Sequence, residues 1–346
     1  MNKHTVSLRA VVALAMLAGT LNADVTVTSA PVGVMTKKLG SGSTGLGFPL
    51  IKKDVFTGSI ASNTSDTLAF TAAAGNIATA LELDRPCYVE IATGPFEGER
   101  IDVDTASTLT AANGTLALKF GAGTSSTLAT LAPGVLAGAR VVVRPHVQLK
   151  DLASMVSPKL VGNDKANLAD GVNVFEGSAY AFYYLHGNGT EWGRKDAAGE
   201  FGSLVVPPDT SVQVVLRSAP KSWISTGIVR TNAFRKNLET GVQSFSTGFP
   251  IALTPVELGA FAFQGSPSGA EWVGGADPDI ADSLQAGVEK PVAFQKYFLD
   301  ADGQTWRRVA GKTDVTNSPI AGATDAMLLR RNNPDSGYVI LLPFIP

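Results

Sequence analysis

An all-β fold is predicted by three features of this chain. Glycine is abundant (36 residues) while charged (17%) and aromatic (8%) residues are few, a balance that favours strands and tight turns over long amphipathic helices. Short apolar phrases separated by Gly-containing turns recur along the chain. Two stretches also match at a fixed offset of 114: Tyr183, Leu185, Gly189, Trp192, Arg194, Arg217, Pro220 and Ser222 against Tyr297, Leu299, Gly303, Trp306, Arg308, Arg331, Pro334 and Ser336. Such self-similarity marks a duplicated packing unit.

Residues 1–23 have the layout of a secretory signal peptide. Lys3 and Arg9 precede an apolar run from Ala10 to Ala18 and a polar patch ending at Ala23, where cleavage is expected. The run is too short to span a bilayer, and no later segment is a spanning candidate. The mature chain is therefore expected to be exported to the periplasm, cell surface or medium, and not to be an integral membrane protein. Its 26 basic residues (28 less Lys3 and Arg9) stand against 30 acidic ones, a formal charge of −4, so nucleic acid is not an expected partner. Cys87 is the sole cysteine, which leaves packing to hold the fold together.

Each repeat copy is expected to open on a hairpin, with Asn188-Gly189 and Asp302-Gly303 between an aromatic run and a Trp-x-Arg segment. These dipeptides predict a type I′ turn, in which both central residues take positive φ. A further strand follows in each copy, Val212-Val214-Leu216 and Ala326-Leu328-Arg330, after the Pro207-Pro208-Asp209 and Ala321-Gly322-Ala323 turns. Upstream, Gly47-Phe48-Pro49 matches Gly248-Phe249-Pro250 at an offset of 201, so 87 extra residues sit inside the first copy. Strand phrases at Tyr88–Ile91, Arg100–Val103, Thr115–Leu118 and Ala139–Val143 predict that 55–145 is an inserted small β-barrel. Residues 24–54 with 146–225 make the first β-sandwich-like copy, and 226–346 the second. One short helix is expected in each, at Lys150–Ala153 and after Thr254-Pro255, where Glu257 closes a capping box. Tyr338 to Leu342 read as a closing buried strand.

Tyr88-Val89-Glu90-Ile91-Ala92-Thr93-Gly94-Pro95-Phe96-Glu97-Gly98, the hairpin from Tyr183-Tyr184-Leu185 to Trp192, the Pro207-Pro208-Asp209 turn and Val215-Leu216-Arg217 together resemble an uncharacterised family of exported β-rich proteins from Verrucomicrobia-type bacteria. The resemblance covers most of the mature chain. It implies export and this architecture, and it carries no activity, ligand or site residue. The second copy departs from it at Ala321-Gly322-Ala323, where the proline turn is absent.

Constellations for chemistry are sparse. Gly40-Ser41-Gly42-Ser43-Thr44-Gly45 has the spacing of a dinucleotide loop but runs into Gly47-Phe48-Pro49, not a helix, so no cofactor is expected. Asp300-Ala301-Asp302-Gly303 has the start of a calcium loop, yet its partner copy reads His186-Gly187-Asn188-Gly189, and a hairpin turn explains both. Asp277-Pro278-Asp279 reads as a solvated loop. His146 and His186 lie at no metal-ligand spacing, no Gly-x-Ser-x-Gly elbow is present, and no catalytic residue is assigned. The sequons at Asn63, Asn113 and Asn188 carry little weight, and Asn113-Gly114 and Asn188-Gly189 read as turns first.

Glu90, Glu97, Glu99, Asp102 and Asp104 cluster on the inserted module, where paired carboxylates across a cleft would suit a glycan hydrolase. A solvated outer face is the simpler expectation. Trp192 and Trp306 occupy equivalent hairpin positions and are expected to pack, which leaves Trp223 and Trp272, without aromatic counterparts, as the ligand-binding candidates. The expectation is thus an exported, non-enzymatic envelope, matrix or adhesion protein, with self-association or surface glycans as partners. A carbohydrate-binding module is the alternative, and a glycan hydrolase a third.

Overall fold

The computed structural model describes residues 31–71, 77–82, 84–110, 114–119, 132–208, 210–261, 272–288, 293–332 and 336–340. The expected signal peptide, Asn113, Asp209 and residues 341–342 of the closing strand lie outside them. The described chain is all-β, with two short helices among the described residues.

Three strands come first: β1 (Val32–Leu39), β2 (Gly42–Leu46) and β3 (Leu50–Ile51). The next six are β4 (Phe56–Asn63), β5 (Thr67–Phe70), β6 (Cys87–Ile91), β7 (Arg100–Val103), β8 (Thr115–Lys119) and β9 (Arg140–Pro145), with helix α1 (Thr105–Thr110) between β7 and β8. These six pair in the order β4-β5-β8-β7-β6-β9 and close into a barrel through β9 and β4. The period-2 alternation of β7 sends Ile101 and Val103 inward, where they pack with Ile60, Leu68, Val89 and Val143.

After the barrel come β10 (Val147–Gln148), α2 (Leu149–Ser154), β11 (Val156–Ser157), β12 (Gly171–Glu176), β13 (Ala179–Leu185), β14 (Trp192–Arg194), β15 (Val205–Val206), β16 (Val212–Leu216) and β17 (Lys221–Val229). The chain finishes with β18 (Phe234–Leu238), β19 (Gly241–Phe245), β20 (Ser283–Val288), β21 (Ala293–Leu299), β22 (Trp306–Arg308), β23 (Met327–Arg331) and β24 (Ser336–Ile340). Two five-stranded sheets have the same antiparallel order, β14-β13-β12-β16-β2 and β22-β21-β20-β23-β19, while β1 pairs with β17 and β18 with β24. Equivalent residues hold equivalent registers: Leu185 faces Trp192 and Leu299 faces Trp306, and both tryptophans are fully buried in separate cores.

The two hairpin turns differ from the expected type I′. Gly189 (φ 74°) and Gly303 (φ 68°) take positive φ, but Asn188 and Asp302 do not. Their side chains instead accept two backbone N–H groups each, Asn188 Oδ1 from Thr190 (3.0 Å) and Glu191 (3.1 Å), Asp302 Oδ1 from Gln304 (2.9 Å) and Thr305 (2.8 Å). This side-chain turn needs left-handed backbone only at the glycine. The short helix appears as expected at α2. In the second copy Thr254 and Glu257 exchange the reciprocal bonds of a capping box (2.7 and 3.2 Å), yet the segment is turn, not helix: Gly259 takes positive φ (62°) and ends it. The lost proline turn also survives in another form, since Gly322 N donates to Asp325 Oδ2 (2.8 Å) and Asp325 N to Gly322 O (3.1 Å).

The two sheets pack side by side. Their β2 and β19 ends face each other, Gly45 meeting Ala326 so closely that a side chain at 45 would overlap it, and Ser211 and Ser244 sharing hydroxyl bonds of 2.7–2.8 Å. Lys37, buried, reaches across to Asp325 (2.5 Å) and the Thr324 carbonyl (3.3 Å). At the opposite ends the short strands β14 and β22 are covered by their own chain: Phe201 N donates to Trp192 O (2.9 Å) and Val315 N to Trp306 O (2.8 Å). These contacts block edges that would otherwise pair with other strands.

A second register, at an offset of 112, is carried by Val161, Gly162, Ala169 and Asp170 against Val273, Gly274, Ala281 and Asp282. Asp170 and Asp282 are both fully buried. Asp170 accepts from the backbone of Val161 (2.8 Å), Arg217 (2.7 Å) and Ser218 (3.1 Å); Asp282 accepts from Val273 (3.0 Å) and Asn332 (2.7 Å). Each aspartate thus ties the entry loop of its copy to the end of β16 or β23. Gly162 and Gly274 lie against the carbonyl oxygens of His186 and Asp300, where a methyl would overlap backbone. Gly162→Ala and Gly274→Ala should each lose about 1–3 kcal/mol in urea unfolding. Gly40→Ala, where the added carbon meets nothing, should leave the midpoint within about 0.5 kcal/mol.

Candidate functional site

The acidic strands of the barrel form the most highly charged buried site among the described residues. On β6, Val89 and Ile91 point inward, so Tyr88 and Glu90 point out; both are nevertheless buried. What covers Glu90 is the segment Arg230–Arg235, which leads from β17 into the first residues of β18. Arg230, fully buried, donates from Nη1 to Glu90 Oε1, Asn232 Nδ2 donates to the same oxygen (2.5 Å), and Arg144 Nη1 donates to Oε2 (3.2 Å).

The neighbouring acids continue this joint. Glu97 Oε1 accepts from Ala233 N (2.9 Å), and its carbonyl accepts from Arg235 Nε (2.7 Å). Arg235 also donates to the Pro95 carbonyl (2.7 Å) and lies 3.7 Å from buried Glu99, while Arg100 donates to the Arg235 carbonyl (2.9 Å). Gly98, at φ 87°, lies beneath the Ala233 carbonyl where a Cβ would collide with it. The stretch from Tyr88 to Gly98 is therefore a seat for the 230–235 strap.

Burial alone would raise the Glu90 carboxyl, but Arg230, then Arg144 and the Asn232 amide outweigh it and hold it below its ordinary value. That direction is the reverse of what a protonated glycosidase acid needs. Asp102 accepts from buried His146 Nε2 (2.8 Å), and the imidazole lies against Tyr88 with ring centroids 4.8 Å apart. Asp104 accepts from the Ser107 amide (3.0 Å) and hydroxyl (2.8 Å) at the start of α1. Each of the five acids has an internal partner, Glu99 in an ion pair with Arg235.

The tryptophan candidates lie in cores. Trp223 is 1% exposed and meets Phe48 edge to face at 6.3 Å. Trp272 is 3% exposed, meets Trp306 at 5.7 Å and carries the Arg331 guanidinium over its ring at 4.9 Å. Neither offers solvent the open face on which a sugar stacks. The 112 offset also gives Trp272 a counterpart, buried Leu160.

In the calcium-like loop, Asp302 is spent on the turn and Asp300 on Arg307 (2.5 Å). Among the described residues no three His, Cys, Asp or Glu side chains gather at a metal-binding distance. His186 Nδ1 lies 3.4 Å from Asp164 Oδ1. Asp277 Oδ1 accepts from Asp279 N (2.8 Å), and Asp279 pairs with Lys296 and Arg330. The glycine-rich segment forms the β1–β2 turn and β2 itself. A shallow depression of about 290 Å³ at one barrel end is lined by Ile91, Phe96, Val135 and Leu136 among others, none of them titratable. No described helix is long and apolar enough to cross a membrane. Compared with protein-family models, curated proteins and solved structures, the chain matches none.

Glu90→Gln removes the anion that Arg144 and Arg230 share, and a half-broken buried pair costs about 3–5 kcal/mol. Because the folded-state carboxyl is depressed, its contribution is full above the ordinary value near 4.5 and fades as pH falls through the folded value. Asp170, lowered by hydrogen bonds from Val161, Ser218 and Arg217 that outweigh its burial, acts in the same sense. Urea unfolding from pH 7 downward should show wild type losing stability below about pH 4.5. The Glu90→Gln chain should be weaker at pH 7 and show a shallower acid dependence.

Proposed function

We propose that this chain is an exported, non-enzymatic structural or adhesion-type protein of the cell envelope or extracellular space, of the kind found in the Verrucomicrobia-type family it resembles. The observation that carries the reading is the strap joint. Three of the acids the sequence offers for catalysis, Glu90, Glu97 and Glu99, lie between the barrel and the strap that follows β17 and act there as mortar, while Asp102 and Asp104 bond within the barrel. A chain that uses its charges to fix one module on another is suited to presenting a defined surface or acting as a building block. The signal-like layout of residues 1–23 supports export, and the covered outer edges of both sheets favour discrete units over strand-by-strand polymerisation.

Immunogold electron microscopy of native cells, with fractionation and a polysaccharide-hydrolysis panel on the purified mature protein, tests this reading. Label on the envelope or in the surrounding matrix and no sugar release are expected. Cytoplasmic label, or hydrolysis that disappears on replacing Asp102 or Asp104 with asparagine, would overturn it.

A further inference from the structure

The internal duplication supplies its own comparison for a binding site. In the first copy Arg194, on β14, is saturated. Its Nη1 lies 3.1 Å from Glu176, its Nε donates to Asp196 (2.6 Å), and its guanidinium sits over the Tyr183 ring at 5.7 Å. The Tyr183 hydroxyl in turn donates to Glu176.

The equivalent residue on β22 is Arg308, in the same register: Tyr183 faces Arg194 and Tyr297 faces Arg308. The first backbone bond after each arginine is equivalent as well, since Lys195 N donates to Phe182 O (3.0 Å) and Val309 N to Lys296 O (2.9 Å); beyond it Lys195-Asp196 form a turn closed by the Arg194–Ala197 bridge, while Ala310 opens a 3₁₀ turn to Lys312. Both carboxylates are gone. The pairing of Glu176 with Ala179 and of Val288 with Ala293 puts Val288 in the place of Glu176, and Ala310 stands in the place of Asp196. Arg308 Nε is buried without a hydrogen-bond partner.

Among the described residues, nearby groups do not replace what was lost. Tyr297 donates to Gln295 (3.4 Å), and Asp325, whose charge reaches Tyr297, is bonded to Lys37 and to the Gly322 amide. The rest of Arg308 is neither fully buried nor fully exposed, which leaves the guanidinium open to an incoming group. A buried N–H of a permanent cation without an acceptor is costly. The first copy shows which chemistry satisfies it.

We propose that Arg308, beside Tyr297, binds the carboxylate group of an external ligand in the position that Asp196 fills for Arg194. The half-buried guanidinium turns to present Nε and the adjacent nitrogen, and the carboxylate accepts from both in the forked geometry that arginine favours.

The test follows the arginine Nε–Hε signals of the ¹⁵N-labelled mature protein during titration with sodium acetate, against sodium chloride at matched ionic strength. The Arg308 signal should move and saturate with acetate while that of Arg194 stays in place. Ala310→Asp, at the exposed first residue of a 3₁₀ segment, should fill the site from within: its Arg308 signal should start near the acetate-bound position, and acetate affinity should fall at least about tenfold. Arg308→Gln identifies the signal and should abolish the saturable response elsewhere in the spectrum. No movement of the Arg308 signal in wild type, parallel unsaturable drift of both arginines, or an undiminished acetate response in Ala310→Asp would each overturn the proposal.

Discussion

The charge cluster around Glu90 is the constraint on which the arrangement of the molecule depends. Three glutamates (Glu90, Glu97 and Glu99) and four arginines (Arg100, Arg144, Arg230 and Arg235) meet where the strap crosses the barrel. Ions taken out of water lose several kcal/mol of hydration each, and their attraction recovers this only when geometry and hydrogen bonding are complete. Here they are supported on both sides by backbone groups: the Ala233 amide on Glu97, and the Pro95 and Glu97 carbonyls on Arg235. A hydrophobic seam of equal area would hold the barrel as firmly but tolerate sliding, because apolar contact is non-directional. The ionic seam fixes one register. Since the strap leads from β17 into β18, that register also sets where the β18–β24 pair begins.

The seam between the two sheets follows a different rule. Small side chains let backbones approach: Gly45 against Ala326, and Ser211 against Ser244 with hydroxyls bonded to one another and to backbone oxygen. One buried cation, Lys37, is satisfied by Gly45, Thr324 and Asp325. Short polar bonds and close backbone contact hold the two like-ordered sheets together, while long charged side chains hold the barrel to the strap. The difference matches what each seam joins. Two similar sheets meet edge to edge with little room for long side chains. A curved barrel and an irregular strap leave gaps that only long arginines bridge.

Much of this was legible in the sequence. The hairpin, Trp and closing strand of each copy declared themselves because their lengths are equal, so a constant offset survives from Tyr183/Tyr297 to Arg217/Arg331. The strands of the barrel were readable as short apolar phrases between Gly-containing turns. The buried aspartates were not. Two more residues between β20 and β21 than between β12 and β13 change the offset from 112 to 114, so Asp170 and Asp282 fall out of the alignment that reveals the tryptophans. The role of Glu90 was hidden for another reason. Alternation states which way a side chain points from its strand, not what distant segment will cover it, and Arg230 is 140 residues away. The same limit put Trp223 and Trp272 among the surface candidates: absence of an aromatic counterpart measures divergence, not exposure, as Leu160 beneath the first copy demonstrates.

Comparison of the two copies separates what the backbone dictates from what side chains have been free to change. Gly162 and Gly274 are both glycine because a carbonyl oxygen occupies the space a Cβ would need, and Trp192 and Trp306 are both tryptophan at the centre of a closed core. Asp170 and Asp282 each receive backbone amides that have no other place to bond. Around these fixed points the partners differ. Ser218 in one copy corresponds to Asn332 in the other, and the proline-led turn has become one capped by Asp325. Leu160 has become Trp272, whose ring fills its core and receives Arg331. At Gly162/Gly274 and Asp170/Asp282, where the residue answers to the main chain, the two copies agree, while several side chains that answered only to other side chains differ. The unpartnered Arg308 is the exposed end of that same process: its backbone place is fixed by β21 and β22, while the carboxylates that complete Arg194 were side-chain partners and open to change.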